Sequence, residues 1–192
     1  MRAIARLLLR LAGWHVQPDA RMKPPFVFIG APHTSNWDFV LMLGAMLVLK
    51  LDVSWMGKHT LFRFPFGGLM RWLGGIPVDR SGPHNRVADV VAAFAANPKL
   101  IVCVPPEGTR KKVERWKTGF YRIAHGANVP IMMTVIDAEH RSMRLLDVFH
   151  PTGDIDRDLP LIQGHYLGFR GLRPEYAFEF PQLREPENPE PR

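Results

Sequence analysis

Short apolar runs and helically spaced apolar positions take turns along the chain. Phe26-Val27-Phe28-Ile29 follows the Pro24-Pro25 pair and reads as a buried strand. Trp37–Leu49 is apolar on nearly every side, which predicts a buried helix. Residues 52–56 read as a second strand, residues 62–73 as short helices broken by glycine, and residues 76–78 as a short strand. Val87, Val90, Val91 and Phe94 have helical spacing, and Asn97-Pro98 stops that helix. Residues 100–104 are a further buried strand, and Trp116, Phe120, Ile123 and Ala124 line one face of another predicted helix. Residues 131–136 and 145–149 complete the strands. Strands separated by helices predict a single three-layer α/β domain over residues 24–180, with a largely parallel or mixed central sheet. In such sheets, sites form in the loops beyond the strand ends.

The two ends of the chain differ from this pattern. Ile4, Leu7, Leu8 and Leu11 recur at helical spacing, and Arg2, Arg6 and Arg10 recur on another side. An apolar stripe beside an arginine stripe suits a helix lying in an anionic membrane surface, so residues 1–14 are expected to be a membrane-associating amphipathic helix. The alternative is a first helix that packs on the domain with its arginines in water. Residues 181–192 are rich in Pro and Glu and are expected to form a flexible tail. The longest clearly apolar stretch, residues 39–49, is shorter than the roughly 20 residues a spanning helix needs.

Composition narrows the partners. The 192 residues carry 25 Lys+Arg against 18 Asp+Glu, a formal charge of +7. That balance favours anionic partners: nucleic acid, anionic membrane, or phosphorylated and CoA-type substrates. The one cysteine, Cys103, excludes a disulfide framework and a CxxC zinc site, and its apolar neighbours make it a buried structural residue.

Three segments carry the candidate chemistry. In Pro32-His33-Thr34-Ser35-Asn36-Trp37-Asp38, Ser35 is a candidate helix cap and Asp38 three residues on completes an acidic capping box. On a continuous helix His33 and Asp38 would diverge by about 140°. At a loop-to-helix junction Asp38 can fold back to the imidazole; the alternative is a capping aspartate beside an unrelated histidine. A carboxylate on one ring nitrogen fixes the tautomer and leaves the other nitrogen to take a proton from an alcohol. Gly74-Gly75-Ile76-Pro77-Val78-Asp79-Arg80 brings an arginine to a strand end, where its fork suits a phosphate. Pro105-Pro106-Glu107-Gly108-Thr109-Arg110-Lys111-Lys112 follows a buried strand with an acid, a flexible glycine, a hydroxyl and three cations. It lacks the spacing of a P-loop.

Taken in order, HxxxxD, the Gly-Gly to Asp-Arg run, Pro-Glu-Gly-Thr-Arg and Val129-Pro130-Ile131 resemble the four motifs of the glycerolipid acyltransferase family, which includes the 1-acylglycerol-3-phosphate acyltransferases. Residues 57–68 and 117–124 resemble the segments that join those motifs in the family. The resemblance implies that His33 is the general base and Asp38 its orienting carboxylate, with direct attack of the alcohol on an acyl thioester. It implies an acceptor site shaped by Arg80, Glu107, Gly108, Thr109 and Arg110, with Lys58 and Lys117 as further phosphate contacts. It also implies an acyl-CoA or acyl-carrier-protein donor, a lysophospholipid acceptor, no resident cofactor or metal, and a peripheral place on the cytoplasmic face of a membrane. Pro32, Pro77 and Pro105 stand where the family more often has Asn or an aromatic residue, and they neighbour the acceptor site. A different phosphorylated acceptor, or an inactive membrane-binding homologue, is the alternative.

Other chemistries fit less well. A serine hydrolase needs a G-x-S-x-G elbow, and none occurs. The histidines show no H-E-x-x-H or comparable metal spacing. The best basic-aromatic patch, Arg110-Lys111-Lys112 with Arg115-Trp116-Lys117, reads as a phosphate or membrane face rather than a nucleic-acid surface.

Overall fold

Val27 and Ile29 point to one side of the central strand and Phe26 and Phe28 to the other, and both sides are covered by helices. That is why the strand carries no polar face. The computed structural model describes residues 2–78 and 86–180, with backbone alone at Lys58 and Val78. In chain order the elements are α1 (Arg2–Leu11), β1 (His15–Val16), β2 (Phe26–Gly30), α2 (Trp37–Leu49) and β3 (Ser54–Lys58). Next come α3 (Gly67–Trp72), β4 (Gly75–Val78), α4 (Arg86–Ala96), β5 (Ile101–Cys103) and α5 (Gly119–Ala127). The described chain ends with β6 (Ile131–Asp137), β7 (Ser142–Phe149) and α6 (Ile155–Gly164). The strands form one seven-stranded sheet in the order β1-β7-β6-β2-β5-β3-β4. Every pairing is parallel except β6 with β7, which is an antiparallel hairpin. The three-layer α/β fold read from the sequence is the one observed.

Helices α4, α5 and α6 cover one face, where Phe94, Phe120, Ile123 and Ile162 meet Val27, Ile29 and Met133. Helix α2 covers the other, with Phe39, Met42 and Met46 over Phe26, Ile101 and Met132. Met70 of α3 joins that second cluster, and α1 packs on α2 through Leu9 against Leu41 and Val48. So α1, α2 and α3 share one layer.

The structure corrects or refines the sequence reading in several details. The second strand runs Ser54–Lys58 rather than 52–56, because register with β5 pairs Ser54 with Val102. Trp116 precedes α5 instead of lying on it. The backbone N–H of Lys117 donates to the Pro106 carbonyl at 2.8 Å, which holds residues 116–117 against the loop after β5. The Trp116 indole is still core, packed edge-on to Phe120 and Tyr166. Helix α1 buries Ala5 and Leu9 and leaves its Ile4, Leu7, Leu8 and Leu11 stripe exposed. Upstream of residue 24, β1 pairs with β7, so that stretch is part of the sheet. The tail at 181–192 lies outside the described residues. Among the described residues, no helix is long and apolar enough to cross a membrane.

Candidate active site

The site is built where β2 ends and α2 begins. Asp38 sits in the first turn of α2, 3% exposed, and its Oδ2 accepts from the backbone N–H groups of Thr34 and Ser35, both at 2.8 Å. Ser35 Oγ in turn accepts from Trp37 N–H at 3.2 Å. Half of the capping box read from the sequence is present: Asp38 accepts from the Ser35 N–H, but Ser35 Oγ bonds Trp37 rather than the Asp38 N–H, and the cap residue itself is Asn36, whose side chain makes no cap bond. The Asp38 bonds fold the loop so that His33 Nδ1 lies 3.1 Å from the same Oδ2. Nδ1 is therefore engaged, and Nε2 is the ring nitrogen left for a substrate. The His33 side chain is 19% exposed and lines the cavity described below.

Glu107 supports this loop from behind. β5 is the neighbour of β2 in the sheet, so the segment leaving β5 runs beside the segment leaving β2. Glu107 Oε2 accepts the His33 backbone N–H at 2.7 Å, and the residue is 2% exposed. Its Oε1 has no hydrogen-bond partner. Burial pushes the carboxyl up to about 7; the Asp38 charge adds to the shift and the His33 amide opposes it. Glu107 thus grips the histidine's backbone rather than facing the cavity, a different place from the acceptor-site role the resemblance implies.

Two further braces were not legible in the sequence. Thr134 Oγ1 donates to the Ile29 carbonyl at 2.9 Å, and the fully buried Tyr166 hydroxyl donates to the same carbonyl at 3.3 Å. The chain after α6 crosses the His33 loop. There the Arg173 N–H donates to Thr34 Oγ1 at 3.1 Å, and a Cβ on Gly171 would fall 2.5 Å from that oxygen. Only a residue without a side chain allows this approach.

A cavity of about 660 Å³ lies between α2 and the sheet. Its body is apolar, with Phe39, Met42, Met46, Trp55 and Leu145 among its walls. His33, Asp38, Gly108, Thr109 and Arg110 all line it. Volume and apolarity are those of a site for a small lipid-like ligand. Gly108 has φ +64, and a Cβ there would meet Lys117 Cδ at 2.9 Å and Nζ at 3.0 Å. The Lys117 chain therefore lies across Gly108. Arg144 is a further cavity-lining cation, with its guanidinium 5.1 Å from the Phe169 ring centre, and no motif marked it. Arg80 lies outside the described residues, as does the side chain of Lys58.

The rival nucleophiles are placed elsewhere. Ser35 is buried, and its Oγ is engaged by the Trp37 N–H. Cys103 is 5% exposed, and burial pushes its thiol up to about 12, so it holds its proton. Among the described residues no group of three His, Cys, Asp or Glu side chains is placed to hold a metal ion.

A family model described as Acyltransferase matches residues 14–137, a span that contains His33, Asp38 and the Glu107 to Arg110 run. The chain belongs to the acyltransferase family. Among curated acyltransferases, the 1-acyl-sn-glycerol-3-phosphate acyltransferase of Haemophilus influenzae is 31% identical over 137 residues, covering 68% of this chain and 55% of its own. The Escherichia coli protein of the same name is 30% identical over 122 residues, which are 60% of this chain and 48% of that one. The chain thus spans about half the length of the curated relatives it matches. The crystal structure of the 1-acyl-sn-glycerophosphate acyltransferase from Thermotoga maritima matches with a TM-score of 0.59 at 17% identity. That match covers 85% of this chain and 73% of the other, and it is a likeness of fold.

Proposed function

We propose that this chain moves a fatty acyl group from an acyl thioester, acyl-CoA or acyl-carrier protein, to a hydroxyl of a lysophospholipid such as 1-acylglycerol-3-phosphate. The observation that carries this reading is the His33 Nδ1 to Asp38 Oδ2 contact of 3.1 Å on the wall of a mostly apolar cavity. The names of the curated relatives support the same acceptor.

The chemistry follows from what each partner needs. An alcohol is a poor acid, so its proton has to leave as the new bond forms. His33 Nε2 takes that proton while the hydroxyl oxygen attacks the thioester carbonyl carbon. Asp38 holds the ring in the tautomer that frees Nε2 and stabilises the imidazolium. Collapse of the tetrahedral intermediate breaks the C–S bond, and the thiolate leaves with its electron pair. The proton on His33 returns to that thiolate or to solvent, and the base is regenerated. No acyl-enzyme forms. The acyl chain lies along Phe39, Met42 and Met46, and the Arg110 guanidinium takes the acceptor phosphate. The enzyme works from the membrane surface on the cytoplasmic side, held in part by α1.

The test is acyl transfer from a long-chain acyl-CoA to 1-acylglycerol-3-phosphate in detergent, with thiol release and lipid product followed together. The reading expects both signals from the wild type and neither from His33→Ala. Unchanged turnover in His33→Ala overturns the mechanism. Thiol release without lipid product keeps the His33 and Asp38 chemistry and moves the acceptor elsewhere.

A further inference from the structure

The layer that covers the cavity leaves large apolar side chains in solvent at two separate places. The first is α1, where Leu7 is 56% and Leu11 76% exposed. The second lies between β3 and β4, where Phe64 is 97%, Phe66 63% and Trp72 69% exposed. None of these three aromatic rings belongs to a buried core cluster. Their neighbours Phe62 and Met70 do the packing instead, Phe62 stacked on Trp55 at 5.8 Å and Met70 in the same core cluster. Three large aromatic side chains exposed within residues 64–72 are more than the single scattered ones of an ordinary surface, and such groups mark a binding surface.

Charge says what it binds. Residues 1–18 and 53–78 contain no Asp or Glu, in a chain that has 18 of them. Both stretches carry exposed arginines: Arg2, Arg6 and Arg10 on α1, and Arg63 and Arg71 beside the aromatic rings. Aromatic rings flanked by arginines, with no acids, are suited to the headgroup boundary of an anionic bilayer, where the rings enter and the cations stay with phosphate. A second copy of this chain fits poorly, because the contact would set arginine against arginine. Position adds to this. α1, α2 and α3 share one layer, and Leu61, just before the rings, and Met70, between Phe66 and Trp72 in the chain, line the cavity.

We propose that Phe64, Phe66 and Trp72 form a second membrane wedge, which together with α1 seats the cavity's edge at the surface of an anionic bilayer. The acyl chain then passes from lipid into the cavity without crossing water. The proposal rests on the acyl-transfer reading only in taking the cavity's ligand to be a lipid.

Two measurements on the full chain test it. Cys103 is buried, so Phe64→Cys can be labelled alone with a polarity-sensitive dye. With phosphatidylglycerol-containing vesicles, the dye at 64 is expected to shift to the blue and to be quenched by lipid-borne nitroxides. The same dye at Asp156→Cys, on the helix layer across the sheet, is expected to do neither. The double substitution Phe64→Ser, Phe66→Ser is expected to weaken vesicle partitioning at least tenfold, about 1.4 kcal/mol. Transfer between detergent-dispersed substrates is expected to stay unchanged in that variant. The proposal is overturned if the dye at 64 stays in water while the chain binds vesicles, or if the double variant partitions as the wild type does. It is equally overturned if the substitutions dissolve a dimer and leave vesicle binding intact. Insertion at 64 in a chain that transfers no acyl group supports the wedge and sinks the reaction instead.

Discussion

Glu107→Gln isolates the cost of keeping an acid beneath the His33 loop. Glu107 is 2% exposed, one oxygen holds the His33 amide at 2.7 Å, and the other oxygen is unpartnered. Its carboxyl titrates at about 7 in the fold against 4.5 ordinarily, chiefly because burial disfavours the charge. The folded chain therefore holds its proton more tightly than the unfolded chain does. Between about pH 4.5 and 7 the folded state carries the extra proton, and stability falls as pH rises through that window. At about 1.36 kcal/mol per pKa unit, the full loss is roughly 3 kcal/mol above pH 7 and nil below pH 4.5. Gln keeps an oxygen for the His33 N–H and cannot ionise. Chemical denaturation of both proteins from pH 5 to 8 is expected to give a gap that opens with pH, with the Gln variant the more stable at pH 8. At pH 5 the two are expected to be nearly equal. A gap that does not change with pH, or a wild type that gains on the variant as pH rises, would refute the reasoning. Activity supplies the second readout. Glu107→Ala removes the acceptor and leaves a void, so the His33 loop is expected to shift and kcat to fall roughly 10²-fold, whereas Gln retains most of it.

Three other outcomes follow from the same geometry. Asp38→Asn is expected to lower kcat by roughly 10²–10⁴-fold with little change in either KM, measured by steady-state transfer with circular dichroism as the fold control. Gly171→Ala would press a methyl group to within 2.5 Å of Thr34 Oγ1, so it is expected to lower stability by about 1–3 kcal/mol and to slow transfer, seen by thermal melts and kcat. Arg110→Ala is expected to raise the acceptor KM well above any change in the donor KM, and an equal rise in both would remove it from the phosphate.

The sequence disclosed the contacts that are local. His33, Ser35 and Asp38 lie within six residues, and a helix start obeys spacing rules, so their mutual hydrogen bonds could be read before any fold was known. Partners distant in the chain could not. Glu107 is 74 residues from His33, and the Arg173 N–H is 139 residues from Thr34; only the order of strands in the sheet brings them together. Trp116 shows a second limit. Its spacing to Phe120, Ile123 and Ala124 fits a helix face, yet the bond from Lys117 N–H to the Pro106 carbonyl keeps residues 116–117 in the loop ahead of the helix. Periodicity reports which side chains share a face, not what covers that face. α1 makes this concrete. Its pattern marked Ile4, Leu7, Leu8 and Leu11 as one stripe, but the domain buries Ala5 and Leu9 against α2 and leaves the stripe outside. Had the stripe been meant for the domain, its larger side chains would have packed there, because burial is favoured roughly in proportion to apolar area. The small residue Ala5, with Leu9 settled over Gly44, lets α1 lie close on α2 and leaves the broader stripe exposed. The aromatic rings at 64, 66 and 72 repeat the arrangement on the far side of α2, with Phe62 and Met70 inward and the rings outward. Two elements that each bury one set of apolar side chains and expose another on the same layer are better explained by one shared lipid surface than by two independent failures of packing.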